Sequence, residues 1–175
     1  MVRRLIARIF GFEREVKELR EQIRALSWDS AFGIWTRGAF LQFCEVMPRG
    51  QRVLAFMDLN HIHELNEALG YSEVDRRVKA TFTLPLRRSD VVARWYSGDE
   101  IVILFDSERS GAERKMAQLS EAAAHHGLTF DFEIGEWQVG RREVEDVVAA
   151  LAQQVTARKT GRHSPGAAPR PAEPA

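Results

Sequence analysis

With 175 residues and 25 basic side chains against 25 acidic ones, the chain is long enough for one ordinary hydrophobic core and carries no net charge at neutral pH. That balance excludes a global attraction to nucleic acid or to an anionic lipid surface, so any anion site has to be local. The single cysteine, Cys44, excludes an intramolecular disulfide, and no apolar run approaches the roughly 20 residues that span a bilayer.

The amino terminus, MVRRLIARIFGF, has too short and too basic an apolar core for a signal peptide, and a reducing, cytoplasmic setting is expected. Apolar residues then fall at Leu5, Ile9, Phe12, Val16, Leu19, Ile23 and Leu26, in alternating steps of four and three that define a heptad seam. Beta-branched Ile9, Val16 and Ile23 take the a positions, and Leu5, Phe12, Leu19 and Leu26 the d positions. This choice favours a parallel two-stranded coiled coil. Arg8 and Glu15 would face Glu13 and Arg20 of a partner helix, opposite charge to opposite charge. The alternative is an amphipathic helix folded back on its own domain. Residues 1–28 are thus expected to be a coiled-coil helix that makes a homodimer, residues 29–162 the folded domain, and residues 163–175, with four of the six prolines, a disordered tail.

Within the domain, RVLAFMDL reads as a strand and IHELNEALG as the start of a helix that resumes through SEVDRRVKATF. VVARWY and EIVILF form a hairpin. A helix from about Glu113 to His126, a strand LTFDFEIGEW and a last helix from about Val144 to Lys159 follow. Interleaved strands and helices with one hairpin predict a mixed sheet covered by helices rather than a doubly wound parallel one. Cys44 is expected as a small buried hydrophobe on a helix.

Asp58 ends an apolar strand where the chain turns into a helix, and Asp99 and Glu100 sit at the hairpin tip. If those strands are neighbours, three carboxylates meet at one edge of the sheet. Hard oxygen ligands without His or Cys suit Mg²⁺ or Mn²⁺, which commonly take one or two protein carboxylates plus substrate phosphates, so the pattern suggests phosphoryl chemistry. The competing reading makes Asp58 or Asn60 a helix cap and SGDE a solvated turn. His61 and His63 lack the H-E-x-x-H order of a zinc site, and His125 and His126 suit a helix carboxyl end.

These residues also match a known pattern. SGDEI resembles the GGDEF signature of diguanylate cyclases, and the likeness runs over nearly all of Asp29 to Arg162. DSAFGIWTRGAF resembles the family's opening motif D-x-L-T-G-L-x-N-R-x-x-F, with Asp29, Gly33, Arg37 and Phe40 retained. MDLNHIHELNE resembles D-x-D-x-F-K-x-I-N-D, with Asp58 and Asn66 retained, and GYSEVD places Asp75 at the family's second guanine-reading position. EIG at Glu133 to Gly135 resembles the family's S-I-G strand, and RKTGRH its terminal K-x-x-G-R-N. Arg87 and Asp90 match the R-x-x-D inhibitory site that binds product.

The resemblance implies a palm-like α+β domain with a ferredoxin-like core, a mixed and mostly antiparallel sheet and flanking helices. It further implies an enzyme in which two subunits, each holding one GTP, face each other to make cyclic di-GMP and pyrophosphate. Asp58, Asp99 and Glu100, with the Leu59 carbonyl, would then hold the metal. Asn66 and Asp75 would read the guanine edge, and Ser97, Gly98, Arg158 and Arg162 would contact phosphate. Asp75 beside Arg76 and Arg77 also reads as a surface ion pair.

Several positions depart from the pattern. Trp95 and Tyr96 stand where the family has one residue, Ser97 replaces a Gly, Ile101 a Phe, Thr36 an Asn and Asn60 an Asp; His63, Tyr71 and Val74 differ as well. None removes a ligand implied for the metal. An altered turn leaves two further expectations open: a module that binds GTP or cyclic di-GMP without turnover, and a palm nucleotidyl cyclase of other base specificity.

Overall fold

In a computed structural model, which describes residues 26–163 except 84, 85, 88 and 97, together with Lys17, Gln22 and Ile23, the run VLAFM at 53–57 lies in a strand that is paired on both sides. The side chains of 83, 162 and 163 lie outside the described set, as do most of the heptad segment and the tail. Val53 to Met57 are buried without alternation because helices cover the sheet on both sides, which is why this strand reads as a continuous apolar run.

The elements follow in the order β1 (Trp28–Asp29), β2 (Ile34–Trp35), α1 (Arg37–Glu45), β3 (Gly50–Leu59), α2 (Ile62–Leu69) and α3 (Tyr71–Thr83). Then come β4 (Val91–Arg94), β5 (Glu100–Phe105), α4 (Arg109–His125), β6 (Phe130–Val139) and α5 (Val144–His163). The 6-stranded sheet has the order β1-β2-β4-β5-β3-β6, antiparallel throughout except where β2 meets β4. The expected hairpin, mixed sheet and flanking helices are all present.

Two apolar layers sandwich the sheet. On one face Val53, Ala55, Met57, Ile101 and Ile103 pack against Val74, Val78 and Phe82 of α3 and Ala112, Met116 and Leu119 of α4. On the other, Leu54, Phe56, Val102 and Leu104 meet Phe40 of α1 and Val144, Val147, Val148, Leu151 and Val155 of α5. The spacing of those α5 residues, three or four apart, is a single helical stripe. Cys44 lies in this second layer, and burial pushes its thiol up to about 12.

Local chemistry explains most boundaries. Thr36 caps α1, its hydroxyl accepting from the Ala39 N–H at 3.4 Å. The helix expected to resume after IHELNEAL is two helices, broken at Gly70, whose φ of 82° no β-carbon tolerates well and whose N–H caps Asn66 O. Helix α4 starts earlier than its apolar spacing suggests, and α5 runs past Lys159 to His163. Among the described residues no helix is long and apolar enough to cross a membrane.

Candidate active site

Register assembles the site. Asp58 stands directly opposite Glu100 on β5 and opposite Asp131 on β6, so three carboxylates form a row across neighbouring strands on the α5 face. Like charges in directly opposed positions repel, and such a row demands cations. The hairpin tip is docked to it through the main chain, with the Leu59 N–H donating to Asp99 O at 3.0 Å.

The electrostatics reflect this crowding. Burial raises the Asp58 carboxyl above its ordinary value, with Asp99 and Asp131 adding to the rise and Lys159 opposing it. Burial likewise raises Glu100, and the charges of Asp58 and Asp99 push it further. Glu100 Oε2 is buried with no hydrogen-bond partner. Asn60 Nδ2 donates to Asp131 Oδ2 at 3.1 Å, Lys159 Nζ lies 2.8 Å from Asp58 Oδ2, and Arg158 pairs with Glu133.

These contacts bear on the competing reading of the carboxylates as a helix cap and a solvated turn. The residue that opens α2 is His61, with φ 58° and no side-chain cap, so neither Asp58 nor Asn60 serves as its cap. Gly98 is clamped, since Arg94 bridges Asp29 Oδ2 at 2.9 Å and Gly98 O at 2.9 Å while its guanidinium covers the Phe32 ring at 4.2 Å. Gly98 has φ +99°, a conformation that favours glycine. Trp95 enters the core beside Phe40, Tyr96 stays exposed, and Arg37 lies over both rings at 4.8 and 5.0 Å.

Among the described residues no group of three or more His, Cys, Asp or Glu side chains is arranged to hold a metal ion by itself. Magnesium needs fewer: one or two carboxylates, completed by water and nucleotide phosphates. The orphaned Glu100 oxygen beside Asp58 fits that requirement.

The other expected residues fall as follows. Asn66 is on α2 with Oδ1 buried and unpartnered, and Asp75 is on α3. The ion pair expected at Asp75 belongs instead to Glu73, which holds Arg76 and Arg77 at 2.8 Å each; hydrogen bonds from both bring its carboxyl to about 2. Arg158 projects from α5 toward β6, Arg162 lies in the last turn of α5, and Ser97 lies outside the described residues. Arg87 and Asp90 sit away from the carboxylates, at the opposite end of the β4–β5 hairpin. There Asp90 accepts from the Arg87 N–H at 2.8 Å and the Asp106 N–H at 3.0 Å. His61 and His63 are exposed and pair with Glu64 and Glu67.

Sequence reasoning missed Asp131 and Lys159. Period-two spacing places Asp131 on the face of Glu133, but only the β3–β6 register sets it against Asp58.

The Asp29–Arg94 pair yields a pH prediction. Burial opposes the Asp29 charge, yet hydrogen bonds from the Phe32 N–H and Arg94 outweigh it and hold the carboxyl below its ordinary value. Its stabilising effect is therefore full above the unfolded value near ~4 and fades as pH falls through the folded value. Asp29→Asn should lower Tm at pH 7 and lose that difference progressively as the medium is acidified through the folded value; a difference that does not shrink on acidification would refute the assignment.

Comparison with known proteins closes the argument. The family described as diguanylate cyclase, GGDEF domain, matches residues 39–162. The cyclic di-GMP phosphodiesterase NbdA of Pseudomonas aeruginosa is 32% identical over an alignment 126 residues long that covers 63% of this chain and 16% of that protein. The chain thus spans only a small part of its curated relative. The coiled coil and GGDEF domain of DgcB from Caulobacter crescentus, in complex with c-di-GMP, superposes with a TM-score of 0.71 at 19% identity, covering 90% of this chain and 95% of that one. The diguanylate cyclase SiaD of Pseudomonas aeruginosa, in complex with its activator SiaC, gives 0.64 at 22% identity over 91% and 70%. The GGDEF domain of FimX from the same organism gives 0.64 at 18% over 78% and 94%. At such identities these likenesses speak for the fold, while the family match covers most of the chain: this protein belongs to the GGDEF-domain family.

Proposed function

We infer that the chain is a diguanylate cyclase, condensing two GTP into cyclic di-GMP and two pyrophosphates across a homodimer. The observation that carries this reading is the carboxylate row with its unpartnered Glu100 oxygen, which calls for a divalent cation at the end of β3. In each half-reaction the 3′-oxygen of one nucleotide attacks the α-phosphorus of the other. A new P–O bond forms, the bond to pyrophosphate breaks, and the hydroxyl proton is released. Mg²⁺ or Mn²⁺, held by one or two carboxylates drawn from Asp58, Asp99 and Glu100 together with the Leu59 carbonyl, would supply charge neutralisation at the phosphoryl oxygens.

The protein's own groups do the rest. Asn66 and Asp75 read the guanine edge: a carboxylate accepts from the N1 and N2 hydrogens, a pattern that adenine lacks, and Asn66 Oδ1 is buried and awaits a donor. Arg158 and Arg162 hold the phosphates together with Ser97 and Gly98, the glycine letting main chain approach them. The heptad segment brings the two half-sites together. Its described residues Ile23 and Leu26 are 62% and 77% exposed, which favours a partner chain over folding back on the domain. Arg87 and Asp90 supply a separate product site.

A second reading has its own support. Two residues stand between Arg94 and the signature where the family has one, and the Asp58 carboxylate is engaged by Lys159. A module that binds GTP or cyclic di-GMP without turnover would carry both features at no loss. Incubating the full chain with Mg²⁺ and either GTP or ATP, then resolving products by mass, separates the readings. Cyclic di-GMP from GTP alone is the expected result. Nucleotide binding without product supports the second reading, and a cyclic product from ATP means that the guanine assignment is wrong.

A further inference from the structure

The geometry points to Lys159 as a built-in counterion that holds Asp58 in the nucleotide-free chain and releases it to the triphosphate, so that divalent-metal binding and nucleotide binding are coupled. This rests on the reading that Asp58 is a metal ligand. Lys159 lies near the end of α5, where adjacent cations both reach the acidic face: Lys159 takes Asp58 at 2.8 Å, and Arg158 takes Glu133. The pair is sheltered, with 27% of the lysine side chain and 21% of the aspartate exposed.

An ammonium is a compact point charge with donors only, so it competes for the same oxygen lone pairs that a divalent ion uses. Both cations cannot sit on one carboxylate oxygen face without mutual repulsion in a partly desolvated setting. The lysine has to leave before metal is held tightly. A bound triphosphate provides the alternative partner, because its oxygens accept the three donors that Asp58 gives up. Linkage then works in both directions: nucleotide strengthens metal binding, and metal strengthens nucleotide binding by the same factor. Asp131, held by Asn60 and set directly opposite Asp58, adds a second carboxylate to the face that the ammonium reaches.

The test is Mn²⁺ binding to the full chain, read from the free-ion paramagnetic resonance signal, with and without a GTP analogue whose α and β phosphates are joined through methylene. Lys159→Met should tighten nucleotide-free Mn²⁺ binding by about fivefold, the weight of a modest ion pair, and should shrink the enhancement produced by the analogue. Lys159→Arg, which keeps the charge, should behave like the parent. The Mn²⁺-induced rise in Tm should likewise be larger in the Met variant. Parent protein that binds Mn²⁺ with an affinity equal to or tighter than that of the Met variant overturns the coupling while leaving the metal reading standing. Failure of every form to bind Mn²⁺, even with the analogue present, overturns the metal reading and the coupling with it.

Discussion

Asp99→Ala should reduce cyclic di-GMP formation by on the order of a thousandfold while leaving the fold intact. The structural contribution of this residue is made by its main chain, whose carbonyl receives the Leu59 N–H at 3.0 Å, and alanine keeps that bond. What disappears is a charge that acts on both Asp58 and Glu100. With it goes a proposed ligand, and positioning errors near 1 Å already cost about a hundredfold in rate. The same substitution should lower the pKa values of Asp58 and Glu100, because both are raised in part by the Asp99 charge. Product measured against time in Mg²⁺ and GTP, beside a denaturation curve, checks both halves. Activity within tenfold of the parent would remove Asp99 from the machinery.

Phe56→Ala is the substitution with the largest expected effect on stability, about 3–5 kcal/mol, a large share of the ~5–15 kcal/mol that holds a typical domain together. Phe56 is 2% exposed and lies on β3 between Val102 on β5 and Glu133 on β6. It packs in the layer beneath α5, two residues before Asp58 on the same face. Truncation leaves a cavity where α5 is seated, and α5 carries Arg158 and Lys159. The urea midpoint should fall steeply, with Phe56→Leu costing less than about 1.5 kcal/mol because volume is nearly kept. A loss below about 1 kcal/mol for the alanine variant would contradict the packing described for this layer.

Legibility in the sequence followed the range of the interactions. The strands at EIVILF and RVLAFMDL could be read from apolar patterning because burial on a sheet imposes it locally, and EIVILF has the bounds Glu100–Phe105 in the structure. Cys44 as a buried helical hydrophobe rests on the same local logic. The short β1 and β2 were not anticipated. Two-residue strands carry no periodicity, and their existence depends on pairing with each other and with β4. The break at Gly70 was only half visible, since apolar spacing continues across it while the backbone does not.

The carboxylates show the same division. Asp58, Asp99 and Glu100 announce themselves by adjacency and by their place at strand ends. Asp131 and Lys159 do not, because they lie far along the chain and become neighbours of Asp58 through β3–β6 pairing and the path of α5. The amino-acid order alone carried the resemblance to the family, the class of the domain and the places of the acidic groups along the chain, each written in local pattern or short motif. Only the tertiary structure decided which charges oppose one another and which cation holds Asp58, since a one-residue change of strand register would turn each of these side chains to the opposite face without altering any local preference.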